Sequence, residues 1–469
     1  MTAAFVQMLD TTASLSGELV GWCERSIDAA DRARASLHLL DWLGCALAAQ
    51  AEPMAGKLNK WSSVQHASGR AFAIGFGPVG AEQAAFANGG LGNLLEMDDL
   101  HRSSILHAGD VVVPAVLAMG QARQSNPKNL LDALVVGYEV ALRIGAAAAS
   151  GGYSSWYNSA TCGVFGAAMG AAHVIGLDRN ARMNALGQAG MQASGVWQCR
   201  LEATDSKQLA TAHAARAGVT SVTLAEAGCA GASEILEGPM GFFKTYYPDA
   251  NTALLLSTEN TSWLLHDVSF KPWPSCRHTH PIIHLGLQMR ERLIGASIQK
   301  IKIKTYQAGQ SFCDNAHPKS DHEARFSLQH CLAVALVRGA PTLSDFGVAA
   351  RENAQLAAMR SRIEVGTDEA LSAAFPHSMG GALSITLDDG SMIEASTEHA
   401  LGDPLLPLSA EQLREKFTAN AVWGGVAEKQ AEALIQAIDD LPNAQDLIAL
   451  NAAVAATFKS NIQSGASHE

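Results

Sequence analysis

The stretch Lys300-Ile-Lys-Ile-Lys-Thr-Tyr306 decides how the fold is divided, because polar and apolar residues alternate in it without a break. A period of two is typical of a β-strand with one face in water and the other against a core. The residues from Leu383 to Leu387 alternate again and are followed by Asp389-Gly390, a dipeptide that favours a hairpin. Between these stretches, Phe326 to Val337 predicts a helix. Residues 266–399 therefore predict a small α+β domain.

The sequence before residue 266 follows the helical period instead. Leucines recur at helical spacing from Leu37 to Leu47, with Asp31 ahead of them as the expected N-cap. Asn126-Pro127 predicts the start of another helix, because proline is well tolerated at the first helical position. Residues 163–175 and 208–228 are rich in alanine and punctuated by glycine, which indicates helices that approach one another closely.

The C-terminal residues return to helix. Ser409-Ala-Glu-Gln412 has the form of a capping box, and Leu447 to Phe458 continues the helical pattern. We expect this tail to pack on the first domain. The predicted fold class is therefore mainly α, with a large all-helical domain formed by residues 1–265 and 400–469. A smaller α+β lid domain comprises residues 266–399.

The composition excludes several classes of protein. The chain has 469 residues and a formal net charge of −12, which argues against a nucleic-acid partner but not against an anionic small molecule. No apolar stretch reaches the ~20 residues that cross a bilayer, so we expect no membrane association. The eight cysteines are scattered without a C-x-x-C pair, and residues 1–7 do not resemble a signal peptide. We expect reduced thiols and a cytoplasmic protein.

Charged residues crowd one segment that lies between apolar runs. Glu96, Asp98 and Asp99 precede two histidines, His101 and His107, within a dozen residues. Burial of an unpaired ion costs several kcal/mol, and acids beside imidazoles shift one another's pKa values, as proton transfer requires. The segment is a candidate for catalysis or substrate binding. The alternative is a solvated loop with ordinary ion pairs.

Two further residues are candidates for acid–base chemistry. Lys207 comes just ahead of an alanine-rich helical stretch, where the positive end of a helix disfavours an ammonium ion. Its alternative is an ordinary surface lysine. Tyr157 lies in Trp156-Tyr-Asn-Ser-Ala-Thr-Cys-Gly163, a stretch that mixes a phenol, an amide and hydroxyls. Its alternative is a core tyrosine with a satisfied hydroxyl.

A second cluster, Lys271-Pro-Trp-Pro-Ser-Cys-Arg-His-Thr-His-Pro281, presents Lys271, Arg277 and His278 on a loop stiffened by prolines. A fixed guanidinium beside imidazoles favours binding of a carboxylate. A metal site is a competing interpretation, because His278 and His280 are two residues apart, but no third ligand follows at a characteristic spacing. A purely structural loop is the third possibility.

The glycine pattern Gly75-Phe-Gly-Pro-Val-Gly80 matches G-x-G-x-x-G as a string. Its context is poor, because Pro78 removes an amide from the loop and no strand–helix series follows to build a parallel sheet. We therefore do not expect a dinucleotide site.

Taken together, five segments make the chain resemble the MmgE/PrpD family, which includes 2-methylcitrate dehydratases, cis-aconitate decarboxylases and iminodisuccinate epimerase. Their order matches that of the family over nearly the whole length. The segments are Ala84–Gly89, Glu96–Asp99 with His107-Ala-Gly109, Lys207 with His213-Ala-Ala, Lys271–Pro281, and His322–Ser327.

The resemblance implies a helical domain split in sequence, a smaller α+β lid and a homodimer. It also implies that the enzyme uses no metal and no organic cofactor. The implied substrate is a small di- or tricarboxylate, and the chemistry begins with movement of a proton beside a carboxylate.

The chain departs from the family at several positions. Glu96 replaces an aspartate, Leu100 a threonine, and Phe312 lies where the decarboxylases favour tyrosine. Tyr157 lies where the lyases place a histidine. A tyrosine opposite a lysine suits two-base proton exchange, so these departures favour an epimerase.

We therefore predict an isomerase, an epimerase that acts on an amino- or imino-dicarboxylate such as iminodisuccinate. Lys207 and Tyr157 would exchange the proton, and His107 would tune them. The predicted substrate-binding residues are Glu96, Asp98, Asp99, Lys271, Arg277 and His278. A dehydratase or decarboxylase of a citrate- or aconitate-like acid is the second hypothesis, and a non-catalytic carboxylate-binding protein is the third.

Overall fold

The computed structural model describes residues 14–65, 68–202, 204–257 and 262–458. The chain divides into two compact units. Unit 1 consists of Met1–Leu94, Ser103–Val268 and Leu413–Glu469, and unit 2 consists of Leu95–Arg102 and Ser269–Gln412. The expectation that no signal peptide is present concerned residues 1–7, which lie outside the described residues.

The described residues of unit 1 form helices and a small hairpin, β1 (Ala71–Ala73) and β2 (Gly77–Val79). Its helices up to residue 268 are α1 (Leu15–Trp22), α2 (Ala29–Ala48), α3 (Pro53–Ser63), α4 (Ala81–Gly89), α5 (Gly109–Arg123), α6 (Pro127–Ala149), α7 (Asn158–Thr161), α8 (Gly163–Val174), α9 (Arg179–Gly190), α10 (Ser206–Glu226) and α11 (Phe242–Tyr246). Short 3-10 helices lie at Ala49–Ala51, Trp197–Arg200, Thr252–Leu256 and Leu264–Asp267.

Side-chain caps define where α2 and α6 begin. The N-cap of α2 is Asp28 and not Asp31, so that prediction was wrong by one helical turn. Asp28 accepts hydrogen bonds from the first-turn amides, and the Asp31 carboxylate accepts one from the Asp28 amide in return. The prediction for α6 is confirmed, since Asn126 accepts from the Lys128 amide. The pattern of leucines locates a helix but does not show which of two nearby aspartates caps it.

Small residues let the central helices of unit 1 approach closely, as the alanine–glycine pattern predicted. A Cβ atom at Gly166 on α8 would lie 2.4 Å from the backbone oxygen of Gly137 on α6. That is far inside van der Waals contact, so a side chain there would force the two helices apart. The buried core of unit 1 forms around these helices together with α5 and α10.

The glycine pattern Gly75–Gly80 lies in the hairpin. Strands β1 and β2 pair antiparallel, with Ala73 opposite Gly77, and Gly75 has a φ of +81° in the turn between them. A dinucleotide site needs a strand, a tight turn and a helix in a parallel sheet, and an antiparallel hairpin does not provide that setting.

Unit 2 contains a four-stranded sheet and short helices. The strand order is β4 (Ile363–Thr367), β3 (Ile298–Thr305), β5 (Gly381–Leu387) and β6 (Met392–Thr397). Strands β3 and β4 are parallel, and the other pairs are antiparallel. The helices are α12 (His280–Arg290), α13 (Gln307–Cys313), α14 (Asp321–Arg325), α15 (Leu328–Val337), α16 (Val348–Arg351), α17 (Ala354–Arg360) and α18 (Glu369–Ala374), with 3-10 helices at Arg277–Thr279, Glu291–Leu293 and Leu343–Phe346.

The alternating stretch forms β3, and its burial follows the predicted period of two. Ile301 and Ile303 are buried, whereas Lys302 and Lys304 are exposed. The predicted hairpin is also present as β5 and β6. The predicted helix of this region is α15, which begins after Ser327 because the Ser327 hydroxyl caps it. The prediction of a mainly α chain with a small α+β part is confirmed.

The C-terminal helices are α19 (Ala410–Trp423), α20 (Glu428–Asp439) and α21 (Ile448–Ala456). The predicted capping box is confirmed, because Ser409 and Gln412 each accept a hydrogen bond from the other's amide. Residues from Leu413 onward belong to unit 1, where Lys416 Nζ lies 2.5 Å from a carboxylate oxygen of Asp41. Among the described helices, none combines the length and the apolar character that a bilayer span requires.

His330 on α15 is a buried histidine that lies between an arginine side chain and a backbone oxygen. Arg360 Nη1 lies 3.1 Å from its Nδ1, and Asp345 O lies 2.7 Å from its Nε2. Since a guanidinium can only donate, Nδ1 must accept and Nε2 must carry the proton. Burial, with Arg360 as a further cause, lowers the pKa of His330 from 6.5 to about 4.

We expect the free energy of unfolding to fall between pH 6.5 and pH 4, because the unfolded histidine binds a proton in this range and the folded one does not. The full effect is about 3 kcal/mol. His330→Asn should be less stable than the wild type at pH 7 but should lose less stability on acidification, as measured by urea unfolding. His377→Asn, an exposed control, should follow the wild type. Equal acid sensitivity in wild type and His330→Asn would contradict this assignment.

Candidate active site

Tyr157 lies in a buried turn of unit 1 and precedes the first residue of α7. Its amide donates to the Gly195 oxygen at 2.9 Å, and the Trp197 amide donates to the Ser155 oxygen at 2.8 Å. The segments around Tyr157 and Trp197 are therefore paired through their backbones. The two rings are stacked, with centroids 4.4 Å apart and an interplanar angle of 5°. These contacts fix the plane of the phenol.

The turn after Tyr157 is tied to the loop that carries His107. Asn158 Nδ2 donates to the Ser104 oxygen at 3.0 Å, and the His107 amide donates to the Ser159 hydroxyl at 3.1 Å. Tyr247 donates to Asn158 Oδ1 at 2.9 Å, and burial raises the pKa of Tyr247 well above its usual value. Tyr247 is therefore a structural phenol that stays protonated. His107 and Tyr157 lie on adjacent, mutually anchored segments.

Asn93 was not singled out from the sequence, yet it contacts Tyr157 directly. Its Nδ2 lies 3.2 Å from the Tyr157 phenol oxygen, and it is as deeply buried as the tyrosine. The two residues are 64 positions apart, and no local pattern marks asparagine at this position as functional.

Lys207 is the second residue of α10 and is half-buried. Burial raises the pKa of the Cys199 thiol, and the positive charge of Lys207 acts in the opposite direction. A shallow pocket lies beside this corner of unit 1; its lining is Gly195, Val196, Gln198, Cys199, Glu202, Thr204, Ser206 and Ala210. The same backbone segment thus carries Trp197, which stacks on Tyr157, and Cys199, which is close to Lys207.

In unit 2, the acidic segment is joined to the start of the second cluster. Leu100 and Ser269 exchange backbone hydrogen bonds of 3.0 and 2.9 Å. Lys271 Nζ lies 3.4 Å from Glu96 Oε2 and 3.4 Å from Asp98 Oδ1. Because Lys271 is only 1% exposed, its ion pairs with these two carboxylates are buried. Asp99 and His101 are also buried.

Arg277 is buried and held by backbone oxygens. It donates to Leu401 O at 2.9 Å and to Ala400 O at 3.3 Å, and burial lowers its pKa to about 10. Its nearest carboxylate is that of Asp403, at 3.9 Å. Asp403 already accepts from Arg102 Nη1 at 2.8 Å. Two guanidinium groups thus lie at the carboxylate of Asp403.

The histidines of the second cluster are bound to protein groups. His278 Nδ1 lies 2.7 Å from the Tyr306 hydroxyl. His280 Nδ1 lies 3.2 Å from Arg277 Nη1 and must accept from it, while its Nε2 lies 3.2 Å from the Ser275 oxygen. His280 therefore has no ring nitrogen available for a metal. Across the described ranges, no three His, Cys, Asp or Glu side chains lie close enough together to hold a metal ion.

The structure thus places the predicted residues in three groups. Tyr157, His107 and Lys207 belong to one region of unit 1. Glu96, Asp98 and Lys271 are partners of one another in unit 2, whereas the sequence had predicted each of them as a substrate-binding residue. Arg277 and His278 form the third group, together with two residues that the sequence analysis missed, Arg102 and Asp403. These two are 301 positions apart, so only the folded chain reveals their pairing.

Comparisons with known proteins agree on one family. Residues 23–254 match the MmgE/PrpD N-terminal domain, and residues 273–441 match the MmgE/PrpD C-terminal domain. The human cis-aconitate decarboxylase is 28% identical over 386 residues, which is 77% of each chain.

A cis-aconitate decarboxylase of Aspergillus terreus is 24% identical over 450 residues, which is 89% of this chain and 91% of the relative. A 2-methylcitrate dehydratase of Salmonella typhi is 24% identical over 191 residues, which is 38% of this chain and 40% of the relative. The two domain matches together span most of the sequence, and the chain belongs to the MmgE/PrpD family.

Proposed function

We propose that the protein is a lyase that acts on a small di- or tricarboxylic acid. Loss of carbon dioxide from a cis-aconitate-like acid is the first candidate reaction, because relatives aligned over 77% and 89% of the chain are cis-aconitate decarboxylases. The epimerase that Tyr157 had suggested receives no support from these relatives, whose names are those of lyases.

The observation that carries the proposal is the arrangement around Tyr157 in unit 1. A buried phenol is stacked on Trp197 and bonded to Asn93, and the Lys207 ammonium acts on Cys199, two residues after Trp197, beside a pocket. When a carboxyl group leaves as carbon dioxide, the electron pair of the broken carbon–carbon bond remains on the substrate. In a cis-aconitate-like acid this pair spreads over an allylic system, and one of its two end carbons must then take up a proton. We assign this proton transfer to Lys207 and Tyr157, with His107 beside them.

We assign different tasks to the two charged groups of unit 2. Lys271 is neutralised by Glu96 and Asp98, so its first task is to hold the segment 95–102 in place. Arg277 and Arg102 both lie at the carboxylate of Asp403, and two neighbouring guanidinium groups favour an anionic ligand. Arg277 and His278 therefore remain the proposed carboxylate-binding residues.

Inversion of a stereocentre is the second candidate, and one observation favours it. The residue at position 157 is a phenol fixed by its neighbours and not an imidazole. A phenol and an amine on opposite faces of a substrate carbon can exchange protons with solvent without expelling a group.

The test is incubation of the purified protein in deuterated water with cis-aconitate, 2-methylcitrate and iminodisuccinate, followed by NMR. We expect loss of carbon dioxide or water from one of the first two acids and incorporation of deuterium in the product. Deuterium at the α-carbon of the third acid, with inversion and no loss, would replace the lyase by an epimerase. Binding of these acids without turnover would overturn both and support a carboxylate-binding protein.

We also propose that two copies of the chain associate. Met191, Val196 and Leu201 are 74%, 62% and 74% exposed, and exposed apolar side chains close together in sequence favour a protein partner. Light scattering on the purified protein should give twice the mass of one chain. A mass of one chain would contradict the proposal.

A further inference from the structure

In the reaction proposed above Asn93 only holds the Tyr157 phenol in place, yet its amide reaches the phenol oxygen itself. The Nδ2–Oη distance is 3.2 Å, and the two residues are 1% and 3% exposed. We infer that Asn93 is a positioning residue: its N–H keeps the Tyr157 oxygen as a hydrogen-bond acceptor and so sets the pH at which the phenol releases its proton. This inference rests on the proposed role of Tyr157 in proton transfer.

The direction of the effect follows from the chemistry of the bond. A donor binds an anionic oxygen more strongly than a neutral one, so the Asn93 amide stabilises the phenolate of Tyr157 relative to the phenol. Burial strengthens this preference, because water does not compete well for the same oxygen. The amide carries no charge and therefore favours the phenolate without adding a cation beside the substrate.

Trp197 makes this bond directional. Its ring lies parallel to the phenol and covers one face, so the phenol cannot tilt away from Asn93 on that side. Trp197 is itself fixed by its amide, which donates to Ser155. The phenol oxygen therefore meets the amide at the edge of the ring and not through the face that Trp197 covers.

Packing alone does not account for an asparagine at position 93. Its Oδ1 is buried and has no hydrogen-bond partner among the described residues. Burial of a polar atom without a partner costs about 1–3 kcal/mol, so an apolar residue of similar size would suit the core better. The contact of the N–H with Tyr157 is the feature that an apolar residue would lose.

Two variants remove the donor in different ways. Asn93→Asp keeps the shape of the side chain but has no N–H, and Asn93→Ala removes the group. Each is compared with the same variant carrying Tyr157→Phe, so that the difference in tyrosinate absorbance during a pH titration reports Tyr157 alone. This readout does not depend on enzymatic activity.

We expect the midpoint of Tyr157 ionisation to rise by about one pH unit in Asn93→Ala and by more in Asn93→Asp. The pH–activity profile should move by the same amount. At fixed pH, kcat should fall about tenfold while KM changes by less than about twofold.

Asn88→Asp is the matched control. Asn88 is also fully buried, but its amide binds the backbone of Phe72 and Ile74, so the variant should lose stability without moving the Tyr157 titration. Asn93→Asp is the variant of choice if Asn93→Ala does not fold.

An unchanged midpoint would overturn the inference. A lower midpoint would also overturn it, since it would mean that the phenol donates to the asparagine oxygen. A raised midpoint together with full activity of Tyr157→Phe would support the coupling of Asn93 to Tyr157 and overturn the catalytic role of Tyr157. The two proposals can therefore fail separately.

Discussion

Replacement of Lys207 by alanine should lower kcat/KM for the acid that the protein turns over by about 10²–10⁴-fold, the usual contribution of one positioned acid or base. The variant loses the ammonium in the first turn of α10, beside the pocket and the segment that holds Tyr157. Steady-state kinetics measures the effect, and small primary amines added to the assay should restore part of the rate.

Lys57→Ala is the control for this experiment. Lys57 lies at the same end of α10, where its Nζ is 2.6 Å from a carboxylate oxygen of Asp205, but both side chains are well exposed. Exposed ion pairs contribute little, so activity and stability should stay close to those of the wild type. A loss of less than tenfold in Lys207→Ala, or an equal loss in Lys57→Ala, would remove Lys207 from the proposed mechanism.

Replacement of Lys271 by methionine should lower the free energy of unfolding by about 3–5 kcal/mol, because it leaves Glu96 and Asp98 buried without their shared cation. Urea unfolding followed by circular dichroism measures the loss. Adding Glu96→Gln and Asp98→Asn to the variant should recover part of the stability, since neutral amides cost less to bury than carboxylates.

Lys302→Met tests whether the loss comes from the buried cluster. Lys302 is an exposed lysine of β3 in the same unit, and its replacement should change stability by less than about 0.5 kcal/mol. A change below about 1 kcal/mol in Lys271→Met would mean that water reaches the two carboxylates, and the cluster would then lose its structural role.

Local periodicity was sufficient to predict most of the secondary structure. Helix α6 follows from apolar residues that recur at helical spacing, and strand β3 follows from a few alternations of polar and apolar residues. The capping box at Ser409 is likewise local, because its two residues are three positions apart. Predictions failed where the pattern allowed two choices. Asp28 and Asp31 are both good caps, and only the path of the backbone decides between them.

The candidate site was predicted as a set of residues but not as a set of partners. Glu96, Asp98 and Lys271 were all singled out, yet the pairing of the acids with the lysine spans more than 170 positions. Asn93 and Arg102 were missed for the same reason. Their roles come from single contacts with distant residues, and such contacts leave no periodic trace in the sequence.

Because residues 95–102 belong to unit 2 while the residues on either side belong to unit 1, the nascent chain cannot complete either unit in one pass. The ribosome delivers Asp98 173 residues before Lys271 and Arg102 301 residues before Asp403. At about 5–20 residues per second, these charged groups wait on the order of ten seconds to a minute for their counterions. An isolated fragment of residues 269–412 lacks Leu95–Arg102, and with it the partners of Lys271 and Asp403. Expression of that region alone should therefore yield a polypeptide that needs this octapeptide to fold.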